Sequence, residues 1–445
     1  MEKPGSRVHF IGIGGISMYS LASLCAMRAL RVSGSDIEES ERTAALRRLG
    51  VEVRIGHTVA NSIDKDLVVY THAVSENNPE LLGAKKLDIP TVSRAQLLGA
   101  LMTEYKGRIG VSGSHGKSTT LAMLDSIFSL AGRNPTVLSG AALESHEPFR
   151  IGGKDMMIYE GCEYKDSFLH FLPTVFIALN LEHDHPDYFP TLADVKASFE
   201  KAISRAPLSI INADDSVLAS IVRRQRPKKR IITVGQTERA DYRYGIVSFA
   251  KGGFTFEIYK DGITLGEFTL SIPGVFNVAS AAMAIVAAIE SGISPETAAL
   301  AISAFRGIER RIQRVGSRLG REVYYDYAHH PTEIRATINA LKMHTGDTLT
   351  VIFKPHTYSR TKALWSDFCA ALSLADSVIL TDVYPAREEA IEGVSSERLA
   401  RDVGARAIYV PDSEVVSTLD KSTHGTIVIM GAGNLESVKA DILSK

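Results

Sequence analysis

The chain has 445 residues, of which 45% are hydrophobic and 23% charged, so it is expected to fold into two or three globular domains. The formal net charge of −1 gives no general attraction to nucleic acid or to an anionic membrane. The basic run at 223–230 contains no aromatic residue, and we interpret it as a solvated loop. Three separated cysteines, Cys25, Cys162 and Cys369, favour a reducing cytoplasm over a disulfide framework.

The first predicted element is a buried strand that begins at Arg7 and turns into a helical run from Tyr19 to Leu30. Glycines in the turn break an apolar stretch that would otherwise resemble a signal peptide, and no other run is long enough to span a bilayer. This opening is typical of dinucleotide-binding folds, with three glycines at the turn, Gly12, Gly14 and Gly15.

The next predicted strand ends at Asp36, where such folds place a carboxylate on a ribose hydroxyl. Ser17 replaces the third fingerprint glycine, so these residues are only a weak signal for a nicotinamide cofactor. Strand-like runs at 67–71 and 90–92 alternate with helical segments, and 94–104 is predicted to be a closing helix. The first domain is therefore a small parallel α/β unit that ends near residue 105.

The stretch from Gly110 to Thr120 is predicted to be a phosphate-binding loop between a strand and a helix. Gly113 and Gly116 allow backbone N–H groups to surround phosphate oxygens at the N-terminus of the helix. Lys117 can reach the β- and γ-phosphates, and the hydroxyl of the next residue can hold Mg²⁺. The spacing is irregular, but the context predicts an ATP site; the alternative is a glycine turn with a solvated lysine.

Two later strands end in acidic and histidine-containing clusters. Glu160 and Glu163 follow the strand that starts at Met156, and the segment 182–187, which includes His185, follows the strand that starts at Val175. Because parallel strands end at one edge of a sheet, these groups are predicted to meet beside the triphosphate and to hold Mg²⁺. Polar loops without a metal are the alternative.

The pattern changes after Asp241 to short alternating runs that predict an antiparallel meander as far as Pro273. A small-residue helix then begins, with Asn277 near its start as a candidate contact for a base. Arg310 and Arg311 precede the next change in composition, and either one is a candidate phosphate contact.

A third α/β alternation covers residues 321–445. Polar side chains again concentrate after strands: Asp326, Tyr327, His329 and His330 after the first, and Lys354, His356, Tyr358 and Arg360 after the second. The histidines could be a core pair or a metal site, but beside Arg360 we favour a pocket for an anionic substrate group. Gly431 and Gly433 form a turn that we interpret as structural.

Taken together, these motifs resemble the Mur ligases over nearly the whole chain. The resemblance is carried by the following segments: 9–15, Gly56 and His57 with Asn61, 113–120, 160–169, 180–189, 326–334 and 355–360.

The resemblance implies a Rossmann-like UDP-sugar domain at 1–105, a P-loop ATPase-type α/β domain with an added antiparallel sheet at 106–315, and a Rossmann-like amino-acid domain at 316–445. It implies an ATP- and Mg²⁺-dependent ligase of peptidoglycan precursor synthesis, cytoplasmic and either monomeric or homodimeric. The substrates implied are UDP-N-acetylmuramate and L-alanine, joined through an acyl phosphate, with no nucleic acid or membrane partner.

The resemblance also assigns roles to individual residues. Those matched to ATP are Gly113, Ser114, His115, Gly116, Lys117, Ser118, Thr119, Asn277 and Arg311. Those matched to Mg²⁺ are Ser118, Glu160 and His185. Those matched to the UDP-sugar are Gly12, Gly14, Gly15, Asp36 and His57, and those matched to the amino acid are Tyr327, His329, His356 and Arg360. The residues implied to be catalytic are Lys117, Glu160, His185 and His329.

Some positions differ from the usual family pattern. Ser114 and Ser118 replace threonines but keep the hydroxyl, whereas Phe276 replaces a common histidine and leaves the adenine contacts open. A murein tripeptide recycling ligase is a second hypothesis, although it lacks the Pro-His-x-Tyr-x-Arg pattern present at 355–360. A nicotinamide oxidoreductase and a P-loop regulatory protein are further alternatives, and neither explains all three domains.

Overall fold

The computed structural model describes residues 5–143, 147–185, 188–225, 230–250, 252–386, 388–422 and 425–444. Within these residues the strands form three sheets, of five, ten and six strands, whose pairings are mostly parallel. The α/β class predicted from the alternation of elements is confirmed. In the same part of the chain, no helix combines the length and the apolar character needed to span a bilayer.

The first sheet has the strand order β3-β2-β1-β4-β5, and all its pairings are parallel. Its strands are β1 (Arg7–Ile11), β2 (Arg31–Asp36), β3 (Glu52–Ile55), β4 (Leu67–Tyr70) and β5 (Thr91–Ser93). Its helices are α1 (Ile16–Met27), α2 (Glu41–Arg48), α3 (Pro79–Lys86) and α4 (Arg94–Met102), with a 3-10 turn at Val59–Ser62. The 3-2-1 order brings the ends of the first three strands to one edge, as in dinucleotide-binding folds.

The second sheet has the order β15-β14-β13-β12-β11-β10-β6-β9-β7-β8. Its strands are β6 (Gly107–Ser112), β7 (Thr136–Leu138), β8 (Phe149–Arg150), β9 (Met156–Glu160), β10 (Val175–Ala178), β11 (Leu208–Asn212), β12 (Arg230–Gly235), β13 (Tyr242–Ala250), β14 (Gly253–Lys260) and β15 (Ile263–Leu270). Its helices are α5 (Lys117–Leu130), α6 (Leu192–Arg205), α7 (Ser216–Gln225), α8 (Phe276–Glu290) and α9 (Pro295–Ala304), with a 3-10 segment at Tyr164–His170.

Two details of this sheet refine the sequence predictions. The strands predicted as an added antiparallel meander are continuous with the sheet, since β13 pairs in parallel with β12. The basic run at 223–230 is not simply a loop: Arg223 and Arg224 end α7, Arg230 begins β12, and 226–229 lie outside the described residues. Helix α7 extends into the run because its apolar face is buried, and arginines are favourable at a helix C-terminus.

The third sheet has the order β16-β17-β21-β18-β19-β20, and only the β16–β17 pairing is antiparallel. Its strands are β16 (Gln313–Arg318), β17 (Arg321–Asp326), β18 (Leu349–Phe353), β19 (Ser377–Leu380), β20 (Ala407–Tyr409) and β21 (Thr426–Met430). Its helices are α10 (Pro331–Thr345), α11 (Tyr358–Ala363), α12 (Trp365–Leu372), α13 (Ser396–Val403), α14 (Val415–Ser422) and α15 (Glu436–Leu443).

Side chains at helix N-termini fix where several helices begin, because each accepts a hydrogen bond from a backbone N–H that has no partner within the helix. The residues that do so are Ser40, Asn78, Ser93, Thr191, His330, Thr357 and Ser395.

The chain divides into two compact units. The first holds most of the chain up to Gly245, with Glu257–Phe268 and Ser280–Ile302, and the second holds Ile246–Phe256, Thr269–Ala279 and the chain from Ser303 onward. In the first unit, one hydrophobic core includes residues of the first sheet and of the second, such as Phe10 and Tyr159. In the second unit, the third sheet is apolar on both faces, with Val351 on one and Ile352 on the other.

Candidate active site

The phosphate-binding loop connects β6 to α5, and two of its glycines adopt backbone angles that favour glycine. Gly116 has φ 83° at the N-terminus of α5. Gly113 has φ 147°, and a Cβ there would lie 3.0 Å from the Cβ of Leu179. The loop places the first N–H groups of α5 at its centre, where the helix dipole favours an anion.

Asn180, which follows β10, holds this loop in place. Its carbonyl oxygen accepts from Ser114 N–H at 3.2 Å, its Oδ1 accepts from His115 N–H at 2.8 Å, and its Nδ2 donates to the His115 carbonyl at 3.0 Å. The sequence analysis gave Asn180 no individual role. Its position as the first polar residue after a strand beside β6 is the signal that could have identified it.

Lys117 and Glu163 form an ion pair directly beside the loop. The lysine Nζ lies 3.4 Å from each oxygen of Glu163, and it also donates to the carbonyls of Gly113 and Ser114. Burial of Lys117 disfavours its charged form, but the negative groups around it, led by Glu163, outweigh burial and raise its pKa. The lysine is therefore charged at neutral pH.

Glu160 ends β9, next to the phosphate-binding loop, because it pairs in register with Val111 of β6. Its Oε1 accepts from Gly140 N–H at 2.8 Å and from the hydroxyl of Ser139 at 3.3 Å. A Cβ on Gly140 would lie 2.7 Å from Oε2 of Glu160. The carboxylate is thus held by a turn in which glycine leaves the necessary room.

His185 belongs to a second group of ligand-type side chains. Glu163, Asp184 and His185 offer ligand atoms that all lie within 4.8 Å of one another. Carboxylate oxygens with one imidazole suit Mg²⁺, so this donor set fits the ion predicted from the sequence. Glu160, which we paired with His185 from the sequence, is not in this group; its carboxylate is bound by Ser139 and Gly140, which follow β7 on the other side of β9. Pro186 and Asp187 of the predicted cluster lie outside the described residues.

Two hydroxyl residues of the loop, Ser118 and Thr119, lie in the first turn of α5 and are buried. Ser118 is therefore beside the phosphate-binding N–H groups, as its proposed role requires.

The glycine turn of the first sheet lies against Asp36. Asp36 accepts from Gly14 N–H at 2.7 Å and from Ile37 N–H at 2.8 Å, while Gly12 N–H donates to the Ser35 carbonyl at 2.8 Å. Gly14 and Gly15 complete the turn into α1. Asp36 was predicted from the fingerprint to face a ribose; here both of its oxygens bind the backbone of the turn and the residue that follows it.

His57 lies after β3 and is held by a buried carboxylate that the sequence analysis missed. Its Nδ1 is 3.2 Å from Oε1 of Glu80 and 3.1 Å from the hydroxyl of Ser35. Burial would raise the pKa of Glu80, but hydrogen bonds from His9 and other neighbours outweigh it and lower the pKa to about 2. The signal for Glu80 was its place at the start of a helix after Asn78-Pro79.

In the second unit, the four residues predicted to bind the amino acid lie together. The ring of His329 is 5.3 Å from that of Tyr327 and 6.0 Å from that of His356. Arg360 donates from NH1 toward Nδ1 of His356 at 3.3 Å. His356 also stacks on Tyr384 at 5.5 Å, an aromatic residue after β19 that the sequence analysis missed. Burial, with His329 and Arg360 nearby, lowers the pKa of His356 to about 4.

The neighbouring arginines Arg310 and Arg311 make different contacts. Arg310 is enclosed between the rings of Tyr325 and Tyr327 and donates to the Gly431 carbonyl at 3.1 Å, so its contacts are structural. Arg311 lies over Tyr327 at 5.2 Å, with its NH1 3.9 Å from Glu333. Of the two, Arg311 has the looser contacts and remains the candidate phosphate contact.

Two further polar groups in this unit are held by the backbone. The Asn277 amide donates to the Pro273 carbonyl at 2.6 Å, so one of its hydrogens holds the turn before α8. Asp326 accepts from Ile312 and Ala328 N–H groups at 2.6 and 2.7 Å, and burial raises its pKa to about 6.

Comparison with known proteins matches most of the chain to one family. Three family models match in order: the Mur ligase family catalytic domain over residues 7–106, the Mur ligase middle domain over 111–288, and the Mur ligase glutamate ligase domain over 310–433.

Individual proteins match from end to end. The chain is 39% identical to a UDP-N-acetylmuramate–L-alanine ligase of Caldicellulosiruptor bescii, with 99% of each chain covered. A solved UDP-N-acetylmuramate-alanine ligase from Thermotoga maritima is 28% identical, with a TM-score of 0.84 and 98% of each chain covered. A murein peptide ligase from Psychrobacter arcticus has a TM-score of 0.73 over 99% of this chain and 98% of its own; at 23% identity this likeness concerns the fold. The chain belongs to the Mur ligase family.

Proposed function

We propose that the chain is an ATP-dependent ligase that joins L-alanine to the muramate carboxylate of UDP-N-acetylmuramate. The observation that carries the proposal is the full-length match, at 39% identity, to a relative named for that reaction. It is supported by the charged Lys117 in its phosphate-binding loop and by the Tyr327, His329, His356 and Arg360 group in the second unit.

In the first step, an oxygen of the muramate carboxylate attacks the γ-phosphorus of ATP, the bond to the bridging oxygen breaks, and ADP leaves. The first-turn N–H groups of α5 bind the phosphates, and Lys117 neutralises the charge that moves toward the leaving oxygen. Ser118 and Glu160 would hold Mg²⁺ beside the loop, and His185 would do so together with Glu163 and Asp184; when bound, the ion would supply further neutralisation of phosphate charge. The product of this step is an acyl phosphate.

In the second step, the amine of L-alanine attacks the acyl carbon and phosphate leaves. Arg360 is placed to pair with the alanine carboxylate, since a guanidinium forms two parallel hydrogen bonds with a carboxylate. His329 is the proposed acceptor of the proton that the amine must lose. His356 is neutral at pH 7, because its pKa is about 4, and adds no second positive charge beside Arg360.

The proposal is tested by measuring phosphate release with ATP and Mg²⁺ while each of the other substrates is omitted in turn. We expect release only when UDP-N-acetylmuramate and L-alanine are both present, with one phosphate released per amide formed. Release that ignores both substrates would contradict the ligase proposal. Activity with the tripeptide in place of L-alanine would favour the murein recycling reaction, and oxidation of NADH would favour an oxidoreductase.

A further inference from the structure

Glu80 is a completely buried carboxylate at the start of α3, and it accepts hydrogen bonds from several side chains. His9 Nε2 lies 2.9 Å from one of its oxygens, Ser35 Oγ donates to the same oxygen at 2.7 Å, and Asn61 Nδ2 donates to the other at 2.7 Å. Asn78 accepts from the N–H of Glu80 at 2.9 Å, so the helix start fixes its backbone. The carboxylate is ionised, with a pKa of about 2.

This polar group lies in an otherwise apolar layer. On the face of the first sheet that carries His9, Ile11 and Val68 pack against Leu81 and Ala84 of α3. A buried charge with several polar partners is costly to maintain and often adds no stability over an apolar core. We therefore look for a role of Glu80 other than stability, and its hydrogen bond with His57 indicates that it orients the His57 imidazole.

The hydrogen bonds around Glu80 determine which nitrogen of His57 carries a proton. The Ser35 hydroxyl uses its hydrogen on Glu80, so its oxygen can only accept from His57 Nδ1, and the ionised carboxylate also only accepts. Nδ1 must therefore be the donor, which leaves Nε2 of a neutral imidazole as an acceptor. The His57 side chain is 17% exposed, whereas His9 is 2% exposed.

The loop that carries His57 is held by the same network. Asn61 Nδ2, which donates to Glu80, also lies 3.2 Å from the Gly56 carbonyl, and Gly56 N–H donates to the Asp36 carbonyl at 2.8 Å. The glycine turn follows β1, Asp36 ends β2, and His57 follows β3, so His57 lies two strands from the turn at the same edge. In folds of this strand order, the diphosphate lies at the turn and the nucleoside lies toward the outer strands.

We propose that Glu80 is a positioning residue: it holds His57 by Nδ1 so that Nε2 accepts a hydrogen bond from the nucleoside of the sugar nucleotide. The inference rests on the proposed function. It assigns a nucleotide contact to Nε2 of His57 and the orientation of that imidazole to Glu80, which does not touch the substrate.

The test compares wild type with Glu80→Gln, His57→Gln and the double variant. For Glu80→Gln we expect the KM for UDP-N-acetylmuramate and the Kd for UDP to rise about tenfold, because a hydrogen bond to a charged group is lost. The KM for ATP and for L-alanine should stay within about twofold. Glu52→Gln, the same change on an exposed carboxylate of β3, is the matched control.

The double variant separates positioning from general loss of structure. If Glu80 acts through His57, the KM of the double variant for UDP-N-acetylmuramate should equal that of His57→Gln within about twofold. Independent effects of the two substitutions would multiply instead. Multiplying effects, or an unchanged KM in a folded Glu80→Gln protein, would overturn the inference. If Glu80→Gln fails to fold, Ser35→Ala takes its place, with a rise of about threefold expected and no change counting against the proposal. A wild type that binds neither UDP nor the sugar nucleotide would instead refute the proposed function.

Discussion

Lys117 and Glu163 form an ion pair of opposite charges at the phosphate-binding loop, with the ammonium 3.4 Å from both carboxylate oxygens. Glu163 is only 3% exposed, so the pair is screened little by solvent. The ion pair thus fixes the Lys117 ammonium at the N-terminus of α5, where it would stabilise the negative charge of the phosphates during transfer.

Replacing Lys117 with alanine should lower the rate of acyl phosphate formation by about 10²- to 10³-fold, the usual loss when one preorganised donor is removed. UDP-sugar binding should remain, because its proposed contacts are in the first sheet. Single-turnover phosphate transfer and calorimetry measure the two quantities. Lys106→Ala, at an exposed lysine just before β6, is the control; equal rates in the two variants would contradict the role of Lys117.

The two glutamates after β9 should respond differently to Mg²⁺. Glu160→Gln should raise the Mg²⁺ concentration at half-maximal activity by about tenfold, as loss of a ligand or its partner commonly does. Glu163→Gln should mainly lower the melting temperature, because it leaves Lys117 without its main compensating charge. Magnesium titrations and thermal melts separate the two effects, with Asp155→Asn, an exposed carboxylate just before β9, as the control. If Glu163→Gln raises the Mg²⁺ requirement and Glu160→Gln does not, then Mg²⁺ binds the Glu163, Asp184 and His185 group and Glu160 is not a ligand.

Gly140→Ala should displace Glu160 without removing it. The new methyl group would lie 2.7 Å from Oε2 of Glu160, so either the carboxylate or the turn must move. We expect kcat/KM for ATP to fall about tenfold or more, since small displacements in an active site are costly. Gly245→Ala adds the same methyl group where no atom lies within 4 Å. Full activity of Gly140→Ala would show that the position of Glu160 is unimportant.

Arg360→Ala should raise the KM for L-alanine by at least about tenfold, because a charge-assisted hydrogen bond to the substrate carboxylate is lost. The KM for ATP should change little. Arg398→Ala, which removes an exposed arginine that lies over Trp365, is the matched control in the same unit. A selective loss of ATP binding in Arg360→Ala would refute the assignment.

His356 should make the stability of the second unit depend on acid. Its pKa is about 4 in the folded protein and 6.5 ordinarily, so the unfolded state binds more protons between these values. The free energy of unfolding should therefore fall as pH decreases from 6.5 to 4, and less so in His356→Gln. Asp326 acts in the opposite direction, because its pKa of about 6 lies above its ordinary 3.8 and its contribution is lost as pH rises.

Wild type and His356→Gln are compared by urea unfolding, which is followed by the fluorescence of Trp365, the single tryptophan of the chain, in the second unit. Identical pH profiles for wild type and His356→Gln would contradict the prediction.

Local signals in the sequence predicted which side chains of the candidate site lie close together in several cases. Residues directly after buried strands, such as His329 and His356, could be grouped because parallel strands end at one edge. The sequence predicted that Glu160 and Glu163 meet the segment with His185, but not that Glu163 alone of the two groups with His185, since that depends on side-chain positions after β9. Glu80 was missed because it starts a helix and meets His9, 71 residues away, across a sheet face that no local pattern reveals.

Gly99 closely approaches the backbone of His170 within the first unit. A Cβ on Gly99 of α4 would lie 2.1 Å from the His170 carbonyl oxygen, so the helix packs directly on the 3-10 segment Tyr164–His170. The first family segment, which ends at residue 106, thus shares its interior with the segment that follows. Cutting the chain there would expose apolar surface on both pieces, and the two segments should melt in a single cooperative transition.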